Sequence, residues 1–352
     1  VAKDANLNIS NGAAVVLDTR TREILAYVGS IDYFQDDYGA YDVVTALRQP
    51  GSSIKPITYA LAFDKGYTPA SILDDSPITY NSYGQTYTPV NYDGKFHGKV
   101  TIRQALSNSL NIPAVKLVNA VGPDNMVDLG MKMGLTNSGW KVDGSYGLSV
   151  TLGGKEVRLL DLTNVYATFG DAGTYEDTTP FLSIKDIYGY EIYQPDKRQA
   201  SQAVRPEVAY LITNILSDIY SRMMEFGSNN FLSIPGHTVA AKTGTTDLKR
   251  DNWTFGYTPS YTVGVWVGNN DNVPMNPYLA SGLTGAAPIW NRVMSLLLTD
   301  KPDEKFTTPD AVFTFVDTKC SNRSEVFITG SNVPSTLCIP KEDKKDKKKH
   351  KS

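Results

Sequence analysis

Residues 237–269 read HTVAAKTGTTDLKRDNWTFGYTPSYTVGVWVGN, and this stretch decides the fold. It holds three β-rich runs, 237–244, 252–259 and 261–269, joined by short turn-like segments, which predicts three consecutive strands. The other end of the chain offers them a partner. GAAVVLDTRTREILAYVG, residues 12–29, reads as a hairpin with strands at 14–17 and 24–28 around a polar turn. Between the two ends the pattern is mostly helical: 101–135, 156–170 and 205–220, with a further helix at 287–298. Thr101 can cap a helix, Pro113 and Pro123 suit first turns, and Gly122 and Gly134 end segments. Residues 67–100, rich in Pro, Asn, Tyr and Gly, read as loop and short extended pieces, and 181–194 as a small hairpin around Tyr188-Gly189. Strands at both ends with helices between predict an α+β fold. It has a central antiparallel sheet flanked by helices and an inserted helical subdomain, not a repeating βαβ array.

The chain has 352 residues, is 41% hydrophobic and 20% charged, and carries a net charge of −3. The last twelve residues, KEDKKDKKKHKS, hold seven lysines against three acids, so the rest of the chain is more acidic than the total. That argues against nucleic-acid binding by the folded part, because phosphate contacts need a basic face. We divide the chain into a main domain at 1–299, a β-rich appendage at 300–340 and a disordered lysine-rich tail at 341–352. No apolar run approaches a membrane span, and the chain starts at Val1, which reads as a mature or excised fragment.

The chemistry centres on RQPGSSIKPITYALAFDKG, residues 48–66. Pro56 suits a first helical turn, Ile54, Ile57, Leu61 and Phe63 recur at helical spacing, and Gly66 marks a stop. Ser52 then falls at a helix N-terminus with Lys55 three residues on, on the same face. This is either a cap with a surface lysine or a nucleophile with its base. Histidine is scarce: His350 lies in the tail, and His97 and His237 sit in Gly-flanked polar contexts that read as structural. A serine enzyme built here needs another base. Lysine serves if burial or a second cation lowers its pKa from about 10.4. AAKTGTTD supplies that cation, Lys242, at a strand end with Thr243, Gly244 and Thr245; Gly244 lets another backbone approach. An extended peptide can add to this edge, its carboxylate meeting the lysine and threonines. The third element, ALSNSLNIPAV, puts Ser109 and Asn111 in a turn between helices, where Ser109 can relay a proton and Asn111 can bind an amide or hold Lys55.

S-x-x-K, S-x-N and K-T-G in this order resemble the motifs of the penicillin-binding proteins and serine β-lactamases, most closely the transpeptidase domain of class A penicillin-binding proteins. The likeness runs from about residue 10 to 295, through AAVVLDTRTREILAYVGSIDY, VNYDGKFHGKVTIRQALSNSLNIPAVKL, LTNVYATFGDAGTY and YTVGVWVGNND. The resemblance implies Ser52 as nucleophile, Lys55 as base, Ser109 and Asn111 as second motif, and Lys242, Thr243, Gly244 and Thr245 on the substrate-carboxylate side. It implies an oxyanion hole from the Ser52 and Thr245 backbone N–H groups. It also implies a D,D-transpeptidase that cross-links peptidoglycan stem peptides outside the cytoplasm, is acylated by β-lactams and needs no cofactor or metal. A D,D-carboxypeptidase, a β-lactamase and a non-enzymatic β-lactam sensor stay open as alternatives. Class A proteins carry an upstream glycosyltransferase domain and a membrane anchor, expected in the full-length protein and absent from this sequence.

Three departures stand out. Thr254 replaces the family's usual aromatic, and the second motif is S-L-N rather than the S-D-N of class A β-lactamases. Those enzymes also use a glutamate to drive water onto the acyl-enzyme. Residues 225–229, EFGSN, match E-x-x-x-N but lie far along the chain from Ser109, so the match is read as coincidence. For Cys320 and Cys338, eighteen residues apart, two buried thiols and a disulfide are both open. An extracytoplasmic location favours the disulfide, worth roughly 3 kcal/mol.

Overall fold

In the computed structural model, which describes residues 7–35, 39–82, 85–193, 199–228, 230–276 and 284–339, the two ends of the chain meet in one sheet. The tail at 341–352 lies outside the described residues. The N-terminal hairpin forms from β1 (Asn11–Asp18) and β2 (Ile24–Val28), its turn tied by Asp18, which accepts from the N–H groups of Arg20 and Thr21 at 2.9 and 2.8 Å. A 3₁₀ turn at Gly51–Ile54 leads into α1 (Lys55–Asp64), with Pro56 in its first turn and Gly66 at φ +93° beyond its end. Short ribbons follow: β3 (Ile72–Asp75), β4 (Tyr80–Ser82), β5 (Gln85–Tyr87) and β6 (Gly98–Thr101), pairing β3 with β6 and β4 with β5.

Thr101 starts α2 (Ile102–Ser107) with a capping box. Its Oγ1 accepts from the Gln104 N–H at 3.1 Å, and its own N–H donates to Gln104 Oε1 at 3.0 Å. Then come α3 (Asn111–Val121), α4 (Pro123–Lys132) and α5 (Leu159–Gly170). The sequence pattern predicts α5 from residue 156. It begins later because Val157 and Arg48 exchange backbone hydrogen bonds at 2.9 and 3.0 Å, which holds Arg158 extended. Beyond α5, β7 (Thr174–Tyr175) pairs with β10 (Ser201–Gln202), and β8 (Ile184–Lys185) with β9 (Glu191–Tyr193) forms the expected small hairpin. The chain continues through α6 (Pro206–Ser217) and α7 (Met223–Phe226).

The three strands of the opening stretch are β11 (Ala240–Thr245), β12 (Asp251–Tyr257) and β13 (Tyr261–Gly268). With β1 and β2 they make an antiparallel sheet in the order β11-β12-β13-β1-β2, which leaves β11 and β2 as edges. Alternation splits the side chains between two faces. Val15, Leu17, Trp253, Phe255 and Trp266 join the core shared with α1, α5 and α6, while Val16, Val263, Val265 and Val267 pack with Trp290 and Met294 of α8 (Ala286–Leu298). The fold is therefore α+β with a central antiparallel sheet, as expected.

In the C-terminal hairpin of β14 (Val312–Asp317) and β15 (Arg323–Ile328), a disulfide ties Cys320 of the turn to Cys338 in the segment after β15. It docks on the helices through Arg103. Arg103 Nε donates to Glu325 at 2.8 Å, and its guanidinium also pairs with Asp218 at 3.2 Å. No described helix is long and apolar enough to cross a membrane.

Candidate active site

Ser52 lies in the 3₁₀ turn ahead of α1 rather than in the helix. Glycines weld this turn to the sheet. Gly51 stands at φ +55°, and a Cβ on it would lie 2.4 Å from the Thr245 carbonyl oxygen. A Cβ on Gly244 would lie 2.4 Å from the Pro50 carbonyl oxygen, and one on Gly153 would lie 2.2 Å from the Gly51 nitrogen. Side chains complete the join. Trp253 Nε1 donates to the Gln49 carbonyl at 2.8 Å, and the Tyr166 hydroxyl, its ring stacked on Phe255, donates to the Ser53 carbonyl at 2.6 Å. Gly244 was expected to make room on the substrate side. The backbone it admits is the chain's own, at Pro50.

Lys55 is fully buried, and its Nζ donates to the carbonyls of Ser109 and Leu110 at 2.5 and 3.1 Å and to Asn111 Oδ1 at 2.7 Å. Lys242 Nζ donates to Ser109 Oγ at 2.7 Å and to the Thr243 carbonyl at 2.8 Å. Both lysines therefore converge on Ser109, one on its carbonyl and one on its hydroxyl. Ser109 achieves this as the left-handed residue that ends α2, at φ +59°, where glycine is usual. For a serine that conformation costs on the order of 1 kcal/mol. Among the described residues no hydrogen bond reaches the Ser52 hydroxyl. The expected pairing with Lys55 is not made because three oxygens of the second motif hold the amine instead.

Ser52, Ser109, Asn111, Thr243 and Thr245 line one cavity of about 220 Å³. Burial, then the nearby charge of Lys242, pushes the Lys55 pKa well below the usual lysine value, and the charges of Glu225 and Asp75 oppose that shift. Lys242 is pushed down to about 7, first by burial and then by Arg222. Arg222 itself is buried, lowered by burial to about 10, and donates to the Leu216 and Leu232 carbonyls. The sequence carries no sign of it, because it belongs to no motif and reaches Lys242 only through the fold.

Glu225 is a correction. Its backbone N–H donates to Asn108 Oδ1 at 3.0 Å, beside Ser109, and its side chain lines the Ser52 cavity. Burial and Asp93 raise its carboxyl above the usual range. The glutamate read as remote is spatially adjacent to the second motif, although Asn229 lies outside the described residues. His97, read as structural, sits with Nδ1 2.7 Å from Asp75. Thr254, the departure from the family's usual aromatic, has a buried hydroxyl without a partner among the described residues.

Comparison with known proteins gives one answer. Residues 12–295 match the family model of the penicillin-binding protein transpeptidase domain. Penicillin-binding protein 1A of Aquifex aeolicus is 34% identical over 343 residues, covering 93% of this chain and 44% of that protein. The protein of the same name from Rickettsia conorii is 32% identical over 323 residues, covering 86% and 40%. The chain thus spans less than half the length of these curated relatives. Among solved structures, penicillin-binding protein 1A from Haemophilus influenzae aligns with a TM-score of 0.80 at 24% identity, over 93% of this chain and 54% of that one. PonA1 from Mycobacterium tuberculosis, in complex with penicillin V, aligns with a TM-score of 0.70 at 23% identity, over 87% and 82%. These two likenesses are of fold.

Proposed function

The chain belongs to the penicillin-binding protein transpeptidase domain family, and we propose that it is a serine D,D-transpeptidase of the extracytoplasmic cell envelope. Ser52 Oγ attacks the carbonyl of the penultimate D-Ala of a stem peptide, and Lys55 takes its proton. The peptide bond to the terminal D-Ala breaks, Ser109 returns a proton to the leaving amine, and an acyl-Ser52 remains. Lys242, Thr243 and Thr245 hold the donor carboxylate. The Ser52 and Thr245 backbone N–H groups stabilise the oxyanion, and the free edge of β11 accepts the extended donor. An amine of a neighbouring stem then displaces Ser52 and forms the cross-link. We place this activity in residues 1–299, with 300–340 as an appendage and 341–352 as a tail, and expect an upstream glycosyltransferase domain and membrane anchor in the full-length protein.

The observation that carries this reading is the convergence of two buried lysines with lowered pKa on Ser109, in one cavity with Ser52. Penicillin should add one covalent equivalent on the peptide containing Ser52, lasting minutes to hours, and Ser52→Ala should abolish it. A thioester donor should transfer its acyl group to a D-amino acid. Glu225 supports one second reading: a carboxyl of raised pKa beside Ser109 is suited to take a proton from water, as a hydrolase requires. Clearance of the adduct within seconds would establish the hydrolase. A stable adduct with no transfer would establish a sensor.

A further inference from the structure

Asn111 Oδ1 faces Lys55 because the other end of its amide is spoken for: Asn111 Nδ2 donates to the Val90 carbonyl at 2.7 Å. The next residue of that loop, Asn91, caps the helix that Asn111 begins. Asn91 Oδ1 accepts from the N–H groups of Asn111 and Ile112 at 2.8 and 3.3 Å, where α3 has no side-chain cap of its own. The Asn91 amide is oriented in turn. Its Nδ2 donates to both oxygens of Asp75 at 2.8 Å each and to the Lys95 carbonyl at 2.8 Å. Asp75, at the end of β3 and with no exposed surface, also accepts from the His97 N–H at 2.9 Å and lies 2.7 Å from His97 Nδ1. His97 Nε2 lies 3.4 Å from Asp93, which lines the Ser52 cavity.

A carboxylate is acceptor-only, so Asp75 permits one orientation of the Asn91 amide: NH₂ toward the acid, oxygen toward α3. Reversed, the amide would set its donors against the Asn111 N–H and its oxygen against Asp75. The buried Asp75 carboxylate, with the Lys95 carbonyl beside it, thus fixes the direction of Asn91, and through the seated end of α3 the direction of Asn111. Resting on the reading of Lys55 and Asn111 as parts of an acylation site, we propose that Asp75, Asn91 and His97 are positioning residues. Through the N-terminus of α3 they hold Asn111 Oδ1 against Lys55 Nζ.

The test is a double-mutant cycle with penicillin acylation as readout. Asp75→Asn gives Asn91 a partner with a donor, removing the largest of the constraints on its direction. In the otherwise unchanged protein it should lower the limiting acylation rate constant about ten- to a hundredfold, the scale of a small misplacement at a reacting centre. The half-saturating penicillin concentration should move far less. In an Asn111→Ala background the same substitution should cost at most about twofold, because the residue it acts through is gone. Equal losses in both backgrounds, or a loss confined to half-saturation, overturn the proposal. Should Asp75→Asn fail to fold, His97→Ala enters the same cycle. His97→Asn, whose Nδ2 can take the place of Nδ1, should restore most of the rate that His97→Ala loses; no restoration overturns the proposal. Failure of penicillin to label the unmodified protein at Ser52 would instead refute the proposed function.

Discussion

On one side of the Ser52 cavity the chain is held backbone against backbone: Gly51 on Thr245, Gly244 on Pro50, Gly153 on Gly51. On the other side it is held by side chains, in a series from Asp75 through Asn91 and Asn111 to Lys55, with Ser109 bridging the two lysines. The first wall is close-packed and has no room for an added atom. The second is a set of directional contacts, those to charged groups worth about 1.5–3 kcal/mol each, in which a conservative substitution leaves the surrounding packing in place. The glycine wall sets where the nucleophile is, and the hydrogen-bonded wall sets what its neighbouring amines do. Damage to the first should appear as loss of the fold, and damage to the second as loss of rate.

The largest effect should come from Gly51→Ala. The new methyl would have to occupy a position 2.4 Å from the Thr245 carbonyl oxygen, on a residue at φ +55°. Backbone on the opposing strand cannot swing away as a flexible side chain can. We expect destabilisation on the order of 3–5 kcal/mol and acylation reduced beyond a hundredfold. Denaturant unfolding beside a penicillin time course checks both. A Gly51→Ala protein with unchanged stability and rate would break the contrast between the walls.

Next in size is the lysine pair. Lys55→Arg installs a permanent cation that cannot deprotonate and should lower acylation about a hundredfold or more; because the site is fully buried, the larger charged side chain should also lower the melting temperature. Near-normal acylation would remove Lys55 as the base. The pH profile sharpens the division of labour. Neutral Lys55 must accept a proton, so activity falls as pH drops through its lowered pKa. Charged Lys242 must hold a carboxylate, so kcat/KM falls as pH rises through about 7. Lys242→Arg stays charged, so its alkaline limb should disappear even though the angular fit to the carboxylate worsens. The same lowered pKa acts on stability. Between about 7 and 10.5 the unfolded chain binds the Lys242 proton and the folded chain does not, so this group's contribution to stability rises with pH across that window. An alkaline limb that survives Lys242→Arg would assign it to another group.

The legible parts of the molecule are those written locally. The strands alternate, Pro56 and Thr101 mark helix starts, and S-x-x-K, S-x-N and K-T-G each sit within a few residues. What could not be read depends on partners distant in sequence. The late start of α5 is set by Arg48 pairing with Val157, and the direction of Asn111 by a carboxylate at Asp75. Glu225 and Arg222 reach the site through α7 and the turn before it, with no motif to announce them. Gly244 was legible as a point of close approach, but a single strand cannot say whether the visitor is a substrate or Pro50. Ser109 gave no sign of its left-handed backbone, because nothing in S-L-N marks a helix end the way glycine does.

The smallest effect concerns the sheet side of the cavity, one strand in from its edge. Thr254 on β12 pairs in register with Thr243 of β11 and with Val265 of β13, and its hydroxyl is buried without a partner among the described residues. Alternation sends it to the same face as Val265, where the core is aliphatic and closed by Trp290. Valine has the same shape and no hydroxyl, so Thr254→Val removes a desolvation cost and adds apolar contact. We expect stabilisation of about 1 kcal/mol, a rise in melting temperature of roughly 2 °C, and acylation within about twofold of the unmodified protein, since no group of the hydrogen-bonded wall is touched. A fall in stability would mean that the hydroxyl has a partner, such as a buried water. A change in acylation beyond tenfold at constant stability would mean that the packed wall transmits adjustments to the nucleophile, which the glycine contacts argue against.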